Sequence, residues 1–239
     1  MIPKEIHYCW FGDGEMSILH RRCIESWKKY CPEYTLRLWN EKNSDIDNAY
    51  CQAAIRQRKW AFVADWVRFD VLYKQGGIYL DTDLELIRPI DSLLGGEDCV
   101  IARESRVSIA TAFIACRPGD PVMAKARDIM LHDLARRKIF VSSPLIMMEA
   151  LGGELRERSL VLPEASFYPF NPYDHENPKN ARQFMYSDVT DQTFGVHHYG
   201  LTGSWADRPL TRVYRRLMKA AHIKLNWNMS YDAFQKPRG

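Results

Sequence analysis

The sequence predicts an α/β domain with a mainly parallel central sheet. Three observations carry that expectation. Strand-like and helix-like segments alternate through the first half of the chain. The helix expected over 61–74 is apolar on most of its surface, as a buried helix must be. It is followed at once by Gly76-Gly77, a short apolar strand and two acids, and ligands of open α/β sheets bind at such a carboxyl edge.

The elements follow in order. Residues 6–11 are rich in β-branched and aromatic side chains and end at Gly12-Asp13-Gly14, a strand and turn. Over 16–30, Leu19, Cys23, Ile24, Trp27 and Tyr30 recur at helical spacing, and Pro32 blocks continuation. Residues 34–39 alternate as a second strand, and 40–45 form a polar turn with helix-capping residues. Residues 46–75 read as two helices that break near Lys59, with Gly76-Gly77 taking the left-handed conformation at the end of the second. Ile78-Tyr79-Leu80 is a strand. Further strands are expected at 98–102 and 107–115, helices at 119–138 and 143–151, and a strand near 193–198. Residues 163–180 hold four prolines in a long irregular stretch, a kind of loop that often carries function. Residues 206–224 read as a basic helix with six Lys and Arg and the single acid Asp207.

Composition narrows the function classes. The chain has 239 residues, 46% hydrophobic and 26% charged, ordinary for a folded globular protein. A net charge of +3 is too mild for a nucleic-acid binder. No apolar run approaches a membrane span, and the first residues do not read as a signal peptide. Six cysteines form no C-x-x-C pair, so free thiols in a reducing, cytoplasmic setting are expected. There is no dinucleotide fingerprint, Walker loop, H-E-x-x-H or G-x-S-x-G.

Four features carry chemistry. Asp81-Thr82-Asp83 places two carboxylates one residue apart where a strand ends. They are either solvated acids or the oxygen ligands of a hard cation such as Mg²⁺ or Mn²⁺, which would neutralise a diphosphate leaving group. Asp65 and Arg68 share one helix face, as a plain ion pair or as a pair that presents donors to a phosphate or polyol. His197-His198 is either structural or a source of an imidazole ligand over the two acids. Trp10, followed by Phe11 and Gly12, either packs in the core or stacks on a base.

Together with Ile2–Gly12, these features resemble the opening of glycosyltransferase family 32, the proteins with a sugar-binding region containing a DXD motif. Ser26-Trp27-Lys28-Lys29-Tyr30-Cys31-Pro32, Leu38-Trp39-Asn40-Glu41, Ala64-Asp65-Trp66-Val67-Arg68 and Gly76–Asp83 continue the pattern, and the segment from His197 to Ser204-Trp205 closes it. The same motifs are similar in the catalytic domains of the large clostridial glucosylating toxins.

The resemblance implies a single GT-A domain over 1–205, with 206–239 as a basic helical tail on the same domain. It implies a retaining hexosyltransferase that uses Mn²⁺ or Mg²⁺ and a UDP-sugar, galactose or glucose favoured. The acceptor would be a glycan or lipid-linked oligosaccharide, in surface polysaccharide or lipopolysaccharide synthesis. Alternatives are a GDP-mannose-dependent mannosyltransferase, a sugar-nucleotide hydrolase and a non-catalytic binding module.

By the same likeness Trp10, Phe11, Gly12, Asp65, Arg68, Tyr79, Thr82, Ser204 and Trp205 contact the donor, and Asp81, Asp83 and His197 hold the metal. Asp81, Asp83 and Arg68 are the catalytic set. Gly200 and Trp205 stand at +3 and +8 from His197, similar to the closing motif of glycogenin-like transferases, which favours His197 over His198 as ligand. Gly203-Ser204 replace the Lys-Pro of that motif. Ser142-Ser143-Pro144 stands where relatives often carry Thr-Gly-Pro, and Ala110-Thr111-Ala112 lacks a frequent Asn. The basic tail is either a solvated helix face or a peripheral contact with an anionic membrane face, where lipid-linked acceptors lie.

Overall fold

A computed structural model of the protein describes residues 1–137, 140–152, 157–169, 171 and 189–199. Its centre is a six-stranded sheet of order β2-β1-β3-β6-β5-β7. The strands are β1 (Glu5–Cys9), β2 (Thr35–Trp39), β3 (Gly77–Leu80), β5 (Cys99–Arg103), β6 (Ile109–Cys116) and β7 (Leu160–Leu162). Five run in one direction. Only β6 opposes them, pairing antiparallel with both β3 and β5. The reversal follows from the short connection between β5 and β6, where Glu104 N–H donates to Ser108 O, because a turn of that length can only reverse the chain.

Helix α1 (Ile18–Tyr30) packs on one face of the sheet, and α2 (Ala49–Arg56), α3 (Trp60–Gln75), α5 (Pro121–Arg137) and α6 (Ser143–Ala150) pack on the other. α4 (Asp91–Leu94) is a single turn. Strand alternation divides the core accordingly. Tyr79, Ile101 and Ile114 join the α3 side, while Ile78, Leu80, Val100 and Phe113 join the α1 side. β6 is buried along its whole length, as a central strand covered on both faces must be. The strand expected from 107 begins at Ile109, since 104–108 are consumed by the turn.

Three elements are absent from the sequence reading: α4, β7 and a strand β4 (Leu84–Leu86). β4 pairs antiparallel with β8 (Gly195–His197) in a two-stranded sheet of its own. α1 grips β4 from the side. Trp27 Nε1 donates to Leu84 O at 2.7 Å, and Leu86 N–H donates to Ser26 Oγ at 2.9 Å.

α3 ends as glycine requires, but not in the left-handed helical form. Gly76 has φ +65° and ψ −155°, a region open essentially to glycine alone, and its N–H caps Leu72 O at 2.8 Å. A Cβ on Gly76 would meet Pro118 at 2.6 Å, and one on Gly77 would meet Glu5 O at 2.7 Å. Chain reversal and close packing thus demand both glycines. All six cysteines are free and buried. No helix among the described residues is long and apolar enough to cross a membrane. Phe170, residues 172–180 of the proline-rich stretch and the basic segment 206–239 lie outside the described residues.

Candidate active site

β1 and β3 are parallel neighbours, so the end of β1 with Trp10 and the end of β3 with Asp81 lie on the same sheet edge. α3 runs back along the sheet before β3, which brings Asp65 and Arg68, in its first half, over that edge. The two acids of the D-x-D occupy a tight turn: Leu84 N–H donates to Asp81 O at 2.9 Å, and the chain passes directly from β3 to β4. Reversal at this turn, rather than strand alternation, makes the two carboxylates converge.

Arg68 is the hub of the α3 side and is 4% exposed. It donates through Nη2 to Asp81 Oδ1 at 2.8 Å and through Nη1 to Thr111 O at 2.8 Å, with Asp65 Oδ1 at 3.2 Å. Its guanidinium lies 4.4 Å from the ring centre of Tyr79, which is buried beneath it. Thr111 and Ser143 hydroxyls meet at 3.0 Å beside this cluster. Burial raises the pKa of Asp65 and of Asp81; Arg68 opposes both shifts, and Asp83 adds to that of Asp81. Arg68 thus offsets part of the cost of burying the two carboxylates.

The other side is built from β8. His197 Nε2 lies 3.2 Å from Asp83 Oδ1, and burial, which lowers its pKa, is outweighed by Asp83, so the net direction is upward. His198 turns to the opposite side and donates Nε2–H to Glu85 Oε2 at 2.9 Å, both side chains being buried. The structure thus places His197 beside Asp83 and His198 beside Glu85. Tyr168 and Tyr199 wall its ring, with centroids at 5.3 and 4.3 Å.

Asp81, Asp83 and His197 present ligand atoms all within 4.8 Å of one another. The donor set fits a divalent cation. Adjacent ligands of an octahedral ion with bonds of ~2.1 Å stand about 3 Å apart, as Asp83 and His197 do. Two carboxylates whose mutual repulsion raises a pKa gain from a shared cation. Among the described residues no hydrogen-bond partner meets His197 Nδ1, so the imidazole is not committed elsewhere.

Trp10 is half-buried, its ring centre 4.8 Å from that of His20 in an edge-on contact and its Nε1 donating to Gly14 O at 2.6 Å. Phe11 belongs to the core on the α3 side. Gly12, at φ +83°, turns the chain where a Cβ would meet the Trp60 ring at 2.9 Å. Thr82 is half-buried in the turn between the acids. Gly200, Ser204 and Trp205 lie outside the described residues. Thr111 and Ser143 fall in the two segments that depart from the family pattern, whereas Tyr168 and Glu85 carry no such mark in the sequence; Glu85 shows only as an acid within an apolar run.

This sheet, with an acidic turn at its carboxyl edge, defines the GT-A fold of glycosyltransferases. Residues 18–100 match the family described as "glycosyltransferase sugar-binding region containing DXD motif". The chain is 21% identical to the subversion of eukaryotic traffic protein A of Legionella pneumophila, over 81% of this chain and 35% of that protein. It is 23% identical to the initiation-specific alpha-1,6-mannosyltransferase of Candida albicans, over 47% of this chain and 32% of that protein. The chain thus spans about a third of the length of these relatives. Among solved structures, the PaToxG glycosyltransferase superposes with a TM-score of 0.53 at 20% identity, covering 63% of this chain and 69% of its own. The resemblance and the fold class expected from the motifs are found.

Proposed function

We propose that the protein is a metal-dependent glycosyltransferase. It moves a hexose from a UDP-sugar to a glycan acceptor with retention, in surface polysaccharide or lipopolysaccharide synthesis. The observation that carries this reading is the convergence of Asp81, Asp83 and His197 at the carboxyl edge of the sheet. A Mn²⁺ or Mg²⁺ ion held there supplies charge neutralisation for a leaving diphosphate. The imidazole favours Mn²⁺, the softer of the two ions.

Each residue has a stated task. Asp83 and His197 hold the cation directly, and Asp81 does so while anchored by Arg68. Arg68 fixes Asp81 and, with Asp65, orders the surface that the donor sugar meets. Tyr79 braces Arg68 from below. Trp10, at the same edge, offers an aromatic face to the base, and Gly12 and Thr82 contribute to the donor site; Ser204 and Trp205 are assigned to the donor by the likeness alone. In front-face transfer the acceptor oxygen bonds to the anomeric carbon as the carbon–oxygen bond to phosphate breaks. The departing phosphate oxygen takes the acceptor proton. The basic segment 206–224 brings the domain to an anionic membrane face where lipid-linked acceptors lie.

A second reading, transfer of mannose from GDP-mannose, is favoured by the likeness to the Candida albicans mannosyltransferase. Thermal shifts with UDP, GDP, CDP and dTDP, each with and without Mn²⁺, separate the two, because a ligand of the native state raises its apparent stability. A Mn²⁺-dependent shift with UDP is the expected result. A shift with GDP alone moves the assignment to mannose, and no shift with any nucleotide sinks the transferase reading.

A further inference from the structure

Two consecutive histidines reach the end of β8, and one of them must be directed to the acids. Gly195 sets the register of the ladder by size, since a Cβ there would lie 2.7 Å from Glu85 O and 2.9 Å from the Phe167 ring. Backbone bonds hold both edges of the strand: Phe194 N–H to Ser166 O, Ile87 N–H to Phe194 O and His197 N–H to Phe167 O. The ladder then stops. β8 ends at His197, and at Tyr199 the chain turns through φ +46°, a conformation few non-glycine residues adopt. Between the last rung and that turn His198 holds the chain, its N–H donating to Asp83 O at 2.9 Å and its Nε2–H to Glu85 Oε2 at 2.9 Å.

Glu85 is an unusual residue for this place. It lies within β4, flanked by Leu84 and Leu86, and all three are 0% exposed. A buried carboxylate is tolerated only when hydrogen-bonded, so its site specifies a donor. A hydrophobic pair of similar volume would serve stability as well. What the carboxylate adds is direction: it turns the His198 imidazole away from the acids and pins the backbone immediately after His197.

We propose that Glu85 is a positioning residue for the acidic site. By anchoring His198 it holds His197, and not its neighbour, opposite Asp83 at the point where the ladder ends. The proposal rests on the metal-binding reading of Asp81, Asp83 and His197.

The test compares wild type, Glu85→Gln, Glu85→Leu and the double variant Glu85→Leu/His198→Leu. Mn²⁺ affinity is read from the electron paramagnetic resonance signal of free Mn²⁺, and Tm in parallel. Glu85→Gln keeps a hydrogen bond to His198 and is expected to bind Mn²⁺ nearly as wild type does. Glu85→Leu should lose both Tm and affinity. The double variant should recover Tm while its Mn²⁺ affinity stays about tenfold weaker, the scale of a lost outer-shell partner. A double variant with wild-type affinity would overturn the proposal, leaving the pair a packing device. If the leucine variants do not fold, Glu85→Gln/His198→Phe decides, since it keeps the side-chain volumes but removes the hydrogen bond between them: a comparable loss of affinity supports the proposal, and unchanged affinity overturns it. A wild-type protein that takes up no Mn²⁺ overturns the metal reading itself and the proposal with it, a result told apart by the silence of every variant.

Discussion

The two halves of the site are held in opposite ways. Asp65 and Arg68 stand on a 16-residue helix and Asp81 directly follows a central strand, tied together by ion pairs within 3.2 Å and braced by a buried ring. Asp83 and His197 stand on a turn and a three-residue strand outside the main sheet. The first half is over-determined by the core. The second depends on a short ladder and one buried hydrogen bond at its end. Changes on the α3 side should therefore act first on folding, and changes on the β8 side first on ligand binding.

The sharpest way to break that contrast is Asp83→Ala. Its carboxylate faces His197 rather than the Arg68 hub, so turnover with a nucleotide-sugar should fall by about 10³-fold or more while Tm changes far less than in Arg68→Met. Retained activity would remove Asp83 from the metal set. The opposite profile is expected for Arg68→Met, which leaves Asp65 and Asp81 without their buried partner. Urea unfolding should show a loss of about 3–5 kcal/mol. A smaller loss, of about 1–3 kcal/mol, is expected for Gly195→Ala, which forces β8 away from β4. Unlike Arg68→Met it should weaken Mn²⁺ binding even at temperatures where the protein remains folded.

The smallest effect concerns His7, beneath the α3 half. Its Nδ1 accepts from Trp39 Nε1 at 3.1 Å and its Nε2–H donates to Gly76 O at 2.9 Å, so the ring is held neutral. Burial keeps its folded-state pKa below the ordinary 6.5. The unfolded chain then takes up the proton first, and stability should fall as the pH drops from about 6.5 toward the folded-state value, levelling off below it. His7→Gln should flatten that part of a Tm-against-pH curve. An unaltered slope would assign the effect to another group.

The same division governs what the sequence disclosed. The α3–β3 half is contiguous: an apolar helix, two glycines, a short strand and two acids occur in 24 residues, Trp60 to Asp83, and each step has a local cause. The ladder has no such signal. β4 is three residues long and merges with the acidic turn, so neither period nor propensity marks it. β8 is equally short, and its partner lies more than a hundred residues earlier. His197 was legible only through spacing shared with known transferases, and Glu85 only as an acid between leucines. The reversal of β6 followed from a five-residue turn whose length was misread because the strand was begun two residues early.

The β4–β8 ladder also gives the molecule an order of assembly in time. Glu85 and His198 are 113 residues apart. At the pace of protein synthesis the acids leave the ribosome roughly 6 to 20 seconds before the imidazole that completes their cluster. A growing chain can order β1, β3 and α3 while His197 and His198 do not yet exist. The Asp81, Asp83 and His197 cluster thus cannot form until the chain has been made through residue 198, well after the first elements of the core.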